Sequence, residues 1–293
     1  MNKFISKSIK WLAYRGTLNL LSDKMYIKLL FNAHMGYKLN LEKPKSYNEK
    51  LQWLKLYDRK EIYTNLVDKY EVKEIIGNKI GKEYIIPTIG VWDTVEEIDF
   101  DILPDKFVLK CTHDSGGIIV CKNKNEFDVE EAKRKLKKSL KGSYFYSGRE
   151  WPYLNIKPRI IAEEYIGDIE KVPEDYKFYT FNGKIDSVMI CKDRDKGYPN
   201  FFFYDMEWNR LVYQNEEPKI DKPIEKPENF GRMIDIVNTL SKDFLQIRVD
   251  LYNINGKIYF GELTFFNQSG FDTDITYDTD VYWGSKFELP ERS

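Results

Sequence analysis

The sequence predicts an α+β fold, and three observations carry that prediction. Apolar residues recur at helical spacing through the first 75 residues. Strand-like runs and turn signals take over from residue 84. Helices and strands do not alternate as a parallel βαβ sheet would require.

Taken in order, Phe4, Ile5, Ile9 and Leu12 interleave with Lys3, Lys7 and Lys10 as an amphipathic helix. Its expected place is packed on the body of the protein with its basic face outward, the alternative being an anionic membrane surface. Leu51, Leu54, Leu56 and Tyr57 continue an apolar helical face past Trp53, and Ile62, Leu66, Val67 and Tyr70 form another. The runs "YIIPTIGVW", "KFVLK" and "GIIVCK" between 84 and 122 read as strands. The stretch 128–142 is a helix with an Asp128 cap, lysines at its end and Gly142 as its stop, and its basic run is read as a solvated face. "RIIAEEYIGD" is an apolar strand entering acidic residues. "DYKFYTFNGKIDSVMICKD" is a hairpin turning at Asn182-Gly183. A proline-rich charged loop over 216–229 leads to a helix with Phe230, Met233, Ile234, Val237, Leu240 and Phe244 on one face, and the hairpin "LQIRVDLYNINGKIYFGELTFF" follows.

Composition narrows the function classes. The chain has 293 residues, enough for about two domains, and 46 basic against 47 acidic side chains leave almost no net field for nucleic acid. Three cysteines and two histidines, widely spaced, make neither a zinc cage nor a disulfide framework, so the reducing cytoplasm is the expected compartment. No run approaches a spanning helix, and lysines interrupt the N-terminal apolar residues where a signal peptide needs an unbroken core.

Two stretches carry chemistry. In "FVLKCTHDSGGIIVCK" (107–122) a lysine near the end of one strand precedes a connection of small polar residues and two glycines, longer than a plain hairpin needs. In the last hairpin, alternation puts Arg248, Asp250 and Tyr252 on one face, and Ile258, Phe260 and Glu262 together on the return strand. A two-residue Asn255-Gly256 loop would separate Asp250 from Glu262, whereas a three-residue loop from Ile254 to Gly256 would bring them together; the three-residue loop is expected. Two carboxylates ~5 Å apart repel by roughly 3 kcal/mol at an effective dielectric of 20, so a positive group, Arg248 or a hard cation such as Mg²⁺, belongs between them.

The order of these features, with "KSYNEKLQWLKLYDR", "VDKYEVKEIIG", "LPDKFVLKCTHDSGG", "DYKFYTFNGK" and "RVDLYNINGKIYFGELTF", resembles the TupA-like ATP-grasp family of cell-surface polysaccharide biosynthesis, from about Tyr37 to near the C-terminus. The resemblance implies an ATP-grasp fold: two α+β lobes clasping ATP, with a helical N-terminal extension. The expected division is a helical region over 1–60, an N-terminal or linker lobe over 61–104, a small lobe with the glycine-rich hairpin over 105–166, and a metal-binding lobe over 167–293. Lys69 and Lys110 would reach the ATP phosphates, and Ser115, Gly116 and Gly117 would let backbone N–H groups approach them. His113 would contact the γ-phosphate or shape the loop, the latter being favoured.

In the linker strand Glu163 would accept the adenine amine, and backbone groups of Glu164 and Ile166 would bond the ring. Asp175 resembles the ribose ligand, with Lys177 on the same strand face. Asp250 and Glu262 would hold Mg²⁺, with Arg248 as catalytic residue over the transferred phosphoryl group and Lys110 beside it. Many ATP-grasp ligases place an asparagine two residues after the metal-binding glutamate; this chain has Thr264 there and Asn267 further on. Arg194 is a further candidate phosphate or substrate contact.

The implied reaction joins a carboxylate to an amine through an acyl phosphate, with ATP and Mg²⁺ as cofactors. The implied partners are a carboxylate-bearing sugar or glycan, such as a uronic acid, and an amine donor. Residues 1–36 would contact a membrane-bound glycan intermediate or cover the core. Two rival readings stand beside it: a glycosyltransferase using the triplets Asp272/Asp274 and Asp278/Asp280, and a phosphotransferase on the same ATP site. A Cys111–His113 nucleophile lacks a third orienting group.

Overall fold

The computed structural model describes residues 2–167, 174–192, 199–218 and 223–291. Arg194 and part of the expected 216–229 loop lie outside them.

Five helices open the chain: α1 (Lys3–Tyr14), α2 (Asp23–Met35), α3 (Tyr47–Tyr57), α4 (Ile62–Val67) and α5 (Glu71–Ile80). A capping box starts α3, in which Ser46 accepts from the Glu49 N–H and Glu49 reaches back to the Ser46 N–H. The Glu49 carboxylate also takes the N–H groups of Asn40 and Lys45, so one side chain fixes both the helix start and the loop before it.

A four-stranded antiparallel sheet follows, in the order β1 (Thr88–Trp92), β4 (Ile160–Glu164), β2 (Phe107–Cys111), β3 (Ile119–Cys121). On β2 the alternation buries Phe107, Leu109 and Cys111 and turns Val108 and Lys110 to the other face. Helix α6 (Val129–Leu140) closes this small core with Ala132 and Leu136, starting at Asp128 as its capping pattern predicts.

The larger sheet is antiparallel, ordered β10-β9-β5-β6-β7-β8. Its strands are β5 (Glu174–Phe181), β6 (Lys184–Lys192), β7 (Asn200–Tyr204), β8 (Arg210–Leu211), β9 (Gln246–Ile254) and β10 (Lys257–Thr264). The short α7 (Phe145–Gly148) lies between α6 and β4 in the chain. Helix α8 (Phe230–Ser241) buries Phe230, Met233, Ile236, Val237 and Leu240, so the buried stripe includes Ile236 where the sequence reading has Ile234. Helix α9 (Tyr277–Ser285) packs against α3.

Two apolar cores result. One joins Val95 through Cys121 with Leu136, Ile160 and Ala162. The other unites residues of α2–α5 with the large sheet, α8 and Trp283. Residues of α2–α5 thus share one apolar core with the large sheet. Helix α1 packs against α2 as expected, with Ile9, Leu12 and Ala13 half-buried and none of its residues fully buried.

The last hairpin also differs from its expected form. Lys257 pairs with Ile254, so the loop is the two-residue Asn255-Gly256, both at positive φ. Glu262 nevertheless lies opposite Asp250, because Gly261 is an extra residue between the pairs Phe260–Leu251 and Glu262–Asp250. The bulge also parts Glu262 from Ile258 and Phe260, which stay in the core. A Cβ at Gly261 would sit 3.0 Å from the Asp250 carbonyl oxygen, which is why the bulge residue is glycine. Among the described residues, no helix is long and apolar enough to cross a membrane.

Candidate functional site

The two sheets face each other across a cavity of about 220 Å³. From the small lobe come Lys110 of β2, Glu163 of β4, and Ser115 and Gly116 of the β2–β3 connection; Lys69, in the connection between α4 and α5, and Lys73 of α5 also line it. The large sheet contributes Asp175, Lys177, Asp250 and Glu262. Strand register explains that second group: Lys177 pairs with Asp250, and Asp250 with Glu262, on one face of three adjacent strands.

Opposite charges fill the large-sheet side. The Arg248 guanidinium grips Asp250 in a fork, Nε to Oδ1 at 2.7 Å and Nη2 to Oδ2 at 2.8 Å. Nη2 also reaches Glu262 Oε1 at 3.0 Å, so Arg248 sits between the two carboxylates as their repulsion requires. Lys177 donates to the same Asp250 and lies 2.8 Å from Asp175. Burial raises the Asp250 carboxyl, but Arg248 and Lys177 outweigh it and hold its pKa at about 2.

On the small-lobe side the Glu163 carboxylate receives Lys110 Nζ and Lys73 Nζ, each at 2.5 Å. Burial raises its pKa, and the two lysines bring it below the usual carboxylate range. Lys73 also donates to the Ile86 carbonyl at 2.6 Å. The expected adenine acceptor thus already carries two ammonium groups.

Lys69 points into the glycine-rich connection itself. Its ammonium donates to the Asp114 carbonyl and, at 3.2 Å, to that of Cys111, fixing the root of the loop. Gly117 has φ +64 and does not line the cavity; a Cβ there would meet Asp114 Oδ2 at 3.0 Å, so it lets the loop turn. His113 is also outside the cavity lining, buried with neither ring nitrogen hydrogen-bonded, and so belongs to the loop's shape. Cys111 is fully buried with its thiol pKa raised by burial, which removes it as a nucleophile.

A second, apolar cavity of about 290 Å³ adjoins the first and shares Ile86, Lys110, Ile118, Glu163 and Tyr252 with it. Glu164 and Ile166 line it, but the Glu164 N–H already donates to the Pro87 carbonyl at 3.1 Å and is not available to a ring. A third cavity, of about 210 Å³, lies beyond Lys177 and Arg248, with Tyr179, Phe201, Gln214 and Asp274 among its lining.

Several site residues escape the sequence reading. Lys73 follows Lys69 by one helical turn in "VDKYEVK", a spacing that was there to be read. Tyr252 shares the strand face of Asp250. Lys55 is hidden in the apolar face of α3, fully buried, with its Nζ on the carbonyls of Gly148 (2.6 Å) and Ser269 (2.8 Å). Burial lowers its pKa to about 7, and burial raises that of the neighbouring Glu150 to about 6. These contacts fix a turn in which Gln268 and Ser269 have φ of +47 and +52. Asn267 at its start accepts Arg248 Nη1 at 2.6 Å and donates to Asp272 at 2.8 Å. Asn267 therefore holds the arginine that grips Asp250.

Of the paired aspartates of 271–280, Asp272 and Asp280 are buried in structural contacts, while Asp274 and Asp278 are exposed and Asp274 lines the third cavity. Asp272 accepts from Asn267 and from the Asp274 N–H at 3.0 Å, and burial raises its pKa to about 6. Asp280 accepts the Asn48 N–H at 2.8 Å, tying α9 to α3.

The fold and site define an ATP-grasp protein: an antiparallel lobe with a small-residue hairpin facing a second sheet that carries cations and carboxylates. Solved structures it is similar to include D-alanine–D-alanine ligase from Bacillus anthracis complexed with ATP (16% identity, TM-score 0.40, 68% of this chain and 53% of that one). The corresponding ligase from Helicobacter pylori gives 15% identity and TM-score 0.45 over 84% and 70% of the two chains, and L-amino acid ligase from Bacillus licheniformis 13% and 0.42 over 90% and 56%. The chain thus spans about half the length of the first of these, and the family match carries the assignment. The model of TupA-like ATP-grasp proteins matches residues 49–288, and the chain belongs to that family. A comparison with curated proteins gives no match.

ATP and Mg²⁺ are the usual cofactors of this fold. Among the described residues no three His, Cys, Asp or Glu side chains gather around a common point, but the paired oxygens of Asp250 and Glu262 suit a hard cation that shares phosphate oxygens. The guanidinium between them marks a place where positive charge is required.

Proposed function

We propose that the chain is an ATP-dependent carboxylate–amine ligase that joins an amino acid or small amine to a uronic acid of a cell-surface polysaccharide. One observation carries the reading: cations of the small lobe and carboxylates of the large sheet line a single cavity beside an apolar one. The apolar cavity suits a base, and the charged one suits its phosphates.

In this reading Lys110 and Lys73 neutralise phosphate charge while Glu163 spaces them, and Ser115 and Gly116 offer backbone N–H groups. Asp175 and Lys177 meet the ribose side. Asp250 and Glu262 hold Mg²⁺, which when bound neutralises the phosphate oxygens. Arg248, aligned by Asn267, faces the transferred phosphoryl group. Closure of the hairpin excludes water from the acyl phosphate. Support for a sugar comes from the third cavity: Phe201 and Tyr179 are among the aromatic residues of its lining, and Arg248 lies in the same lining for a carboxylate.

The test is an ADP-release screen of uronic acids crossed with amines in the presence of Mg²⁺. ADP formed only when both are supplied, and a hydroxamate trapped by hydroxylamine, are the expected results. ADP formation with a sugar and no amine would assign a phosphotransferase instead.

A further inference from the structure

We propose that α1 is an interfacial helix that seats this protein on an anionic lipid surface. An isolated helix of this length is marginal in water and needs a partner for its apolar face. In α1 that partner, α2, half-buries Ile9, Leu12 and Ala13 but leaves Phe4, Ile5, Trp11 and Tyr14 exposed. Its C-terminal end is held as well. The buried Arg149 guanidinium donates to the carbonyls of Asn19 (2.9 Å) and Leu21 (3.3 Å), while Thr17 caps the Leu12 carbonyl at 2.7 Å.

What the helix presents outward is specific. Phe4, Ser8, Trp11 and Arg15 recur at helical spacing as one stripe, with Phe4 80% and Trp11 58% exposed. Lys3, Lys7 and Tyr14 flank it, and the Arg15 guanidinium stands over the Trp11 ring at 5.5 Å. Leu20, 99% exposed, extends the apolar surface beyond the helix. Residues 2–22 contain Lys3, Lys7, Lys10 and Arg15 and no acidic side chain, in a chain whose overall charge is −1.

Charge and side-chain type together choose the occupant. A second copy related by a two-fold axis would set these cations against themselves. Trp, Tyr and Phe bordered by lysines are the residues that settle at the headgroup level of a bilayer, and anionic headgroups attract the basic side chains. The inference does not depend on the reaction proposed above.

The experiment is co-sedimentation of the full chain with vesicles of phosphatidylcholine alone or with one-third phosphatidylglycerol. Binding to the anionic vesicles alone is expected, weakened by salt. The double variant Phe4→Ser/Trp11→Ser should lose about tenfold or more in partitioning. Lys3→Gln and Lys7→Gln should each lose about fivefold. Nucleotide binding unchanged in all variants confirms that the body stays folded. Equal binding to both vesicle types, or variants that partition like the parent chain, would overturn the proposal. So would a self-associated form that the double variant converts to monomer.

Discussion

The two hairpins of the large sheet are built alike and used differently. Each turns on Asn-Gly with both residues at positive φ: Asn182 (+49) and Gly183 (+70), and Asn255 (+50) and Gly256 (+80). Each carries one bulge. In β5–β6 the extra residue is Asp186, between the pairs Tyr179–Ser187 and Thr180–Ile185. In β9–β10 it is Gly261. Asp186 uses the displacement to anchor the C-terminal helix, accepting from Tyr213 (3.2 Å), Tyr282 and the Trp283 indole (both 3.1 Å) and pairing with Lys286 at 3.1 Å. Gly261 has no side chain to place, and its effect falls on the next residue, turning Glu262 from the core face to the cavity. A bulge with a carboxylate ties the fold together, whereas a bulge without a side chain builds a site.

The contrast can be broken at either hairpin. The largest effect is expected at Asp250→Asn, which removes the charge that Arg248 and Lys177 are arranged around. ADP formation should fall by about 100-fold or more, measured as kcat at saturating ATP. Gly261→Val should come next: crowding of the Asp250 carbonyl would displace Glu262, with a loss of roughly tenfold in kcat and a stability cost of about 1–3 kcal/mol. Asp186→Ala should do the reverse, leaving kcat unchanged while denaturant unfolding reports a loss of about 2–4 kcal/mol from the buried partners left unpaired. Equal effects of Gly261→Val and Asp186→Ala on kcat would erase the distinction between the bulges.

The carboxylates themselves sharpen it. Asp250 is held at about 2 by cations, so its contribution is present above the unfolded carboxylate range and is lost only as pH falls toward 2. Asp272 is pushed to about 6 by burial, so the folded state binds its proton more tightly than the unfolded chain does. Its effect has the opposite sign: stability declines as pH rises from about 4 through 6. The stability difference between the parent chain and Asp272→Asn should therefore shift by about 2–3 kcal/mol over that window in urea melts. A difference that stays flat with pH would contradict the burial argument. The smallest effect is expected at the turns. Gly256→Ala meets open space and should cost only about 1 kcal/mol for its positive φ. Gly183→Ala also places its Cβ 2.9 Å from the Lys242 Cα and should cost more in the same melts.

Much of this molecule was legible because its signals are local. Asp128, Asn182-Gly183 and Asn255-Gly256 act on neighbours within a few residues, so the α6 start and both hairpins could be read directly. Alternation alone placed Asp250 with Arg248 on one strand face. The family's pattern then brought Lys110, Ser115, Gly116, Glu163, Asp175, Lys177, Asp250 and Glu262 onto a single expected site, and the cavity between the sheets is lined by all of them.

What the sequence by itself determined is therefore helices such as α1, α3, α6 and α8, the strands of both hairpins, their turns, and which side chains share a face, because those follow from backbone period and steric limits within a short span. Only the tertiary structure decided that Glu163 is shared by Lys73 and Lys110, that Lys69 holds the loop, that Lys55 lies buried under the Asn267 turn, and that the side of α1 bearing Phe4 and Trp11 is left uncovered. Each of these depends on charges and surfaces brought together from distant parts of the chain, and the energy of an ion pair or a buried face is set by what packs against it.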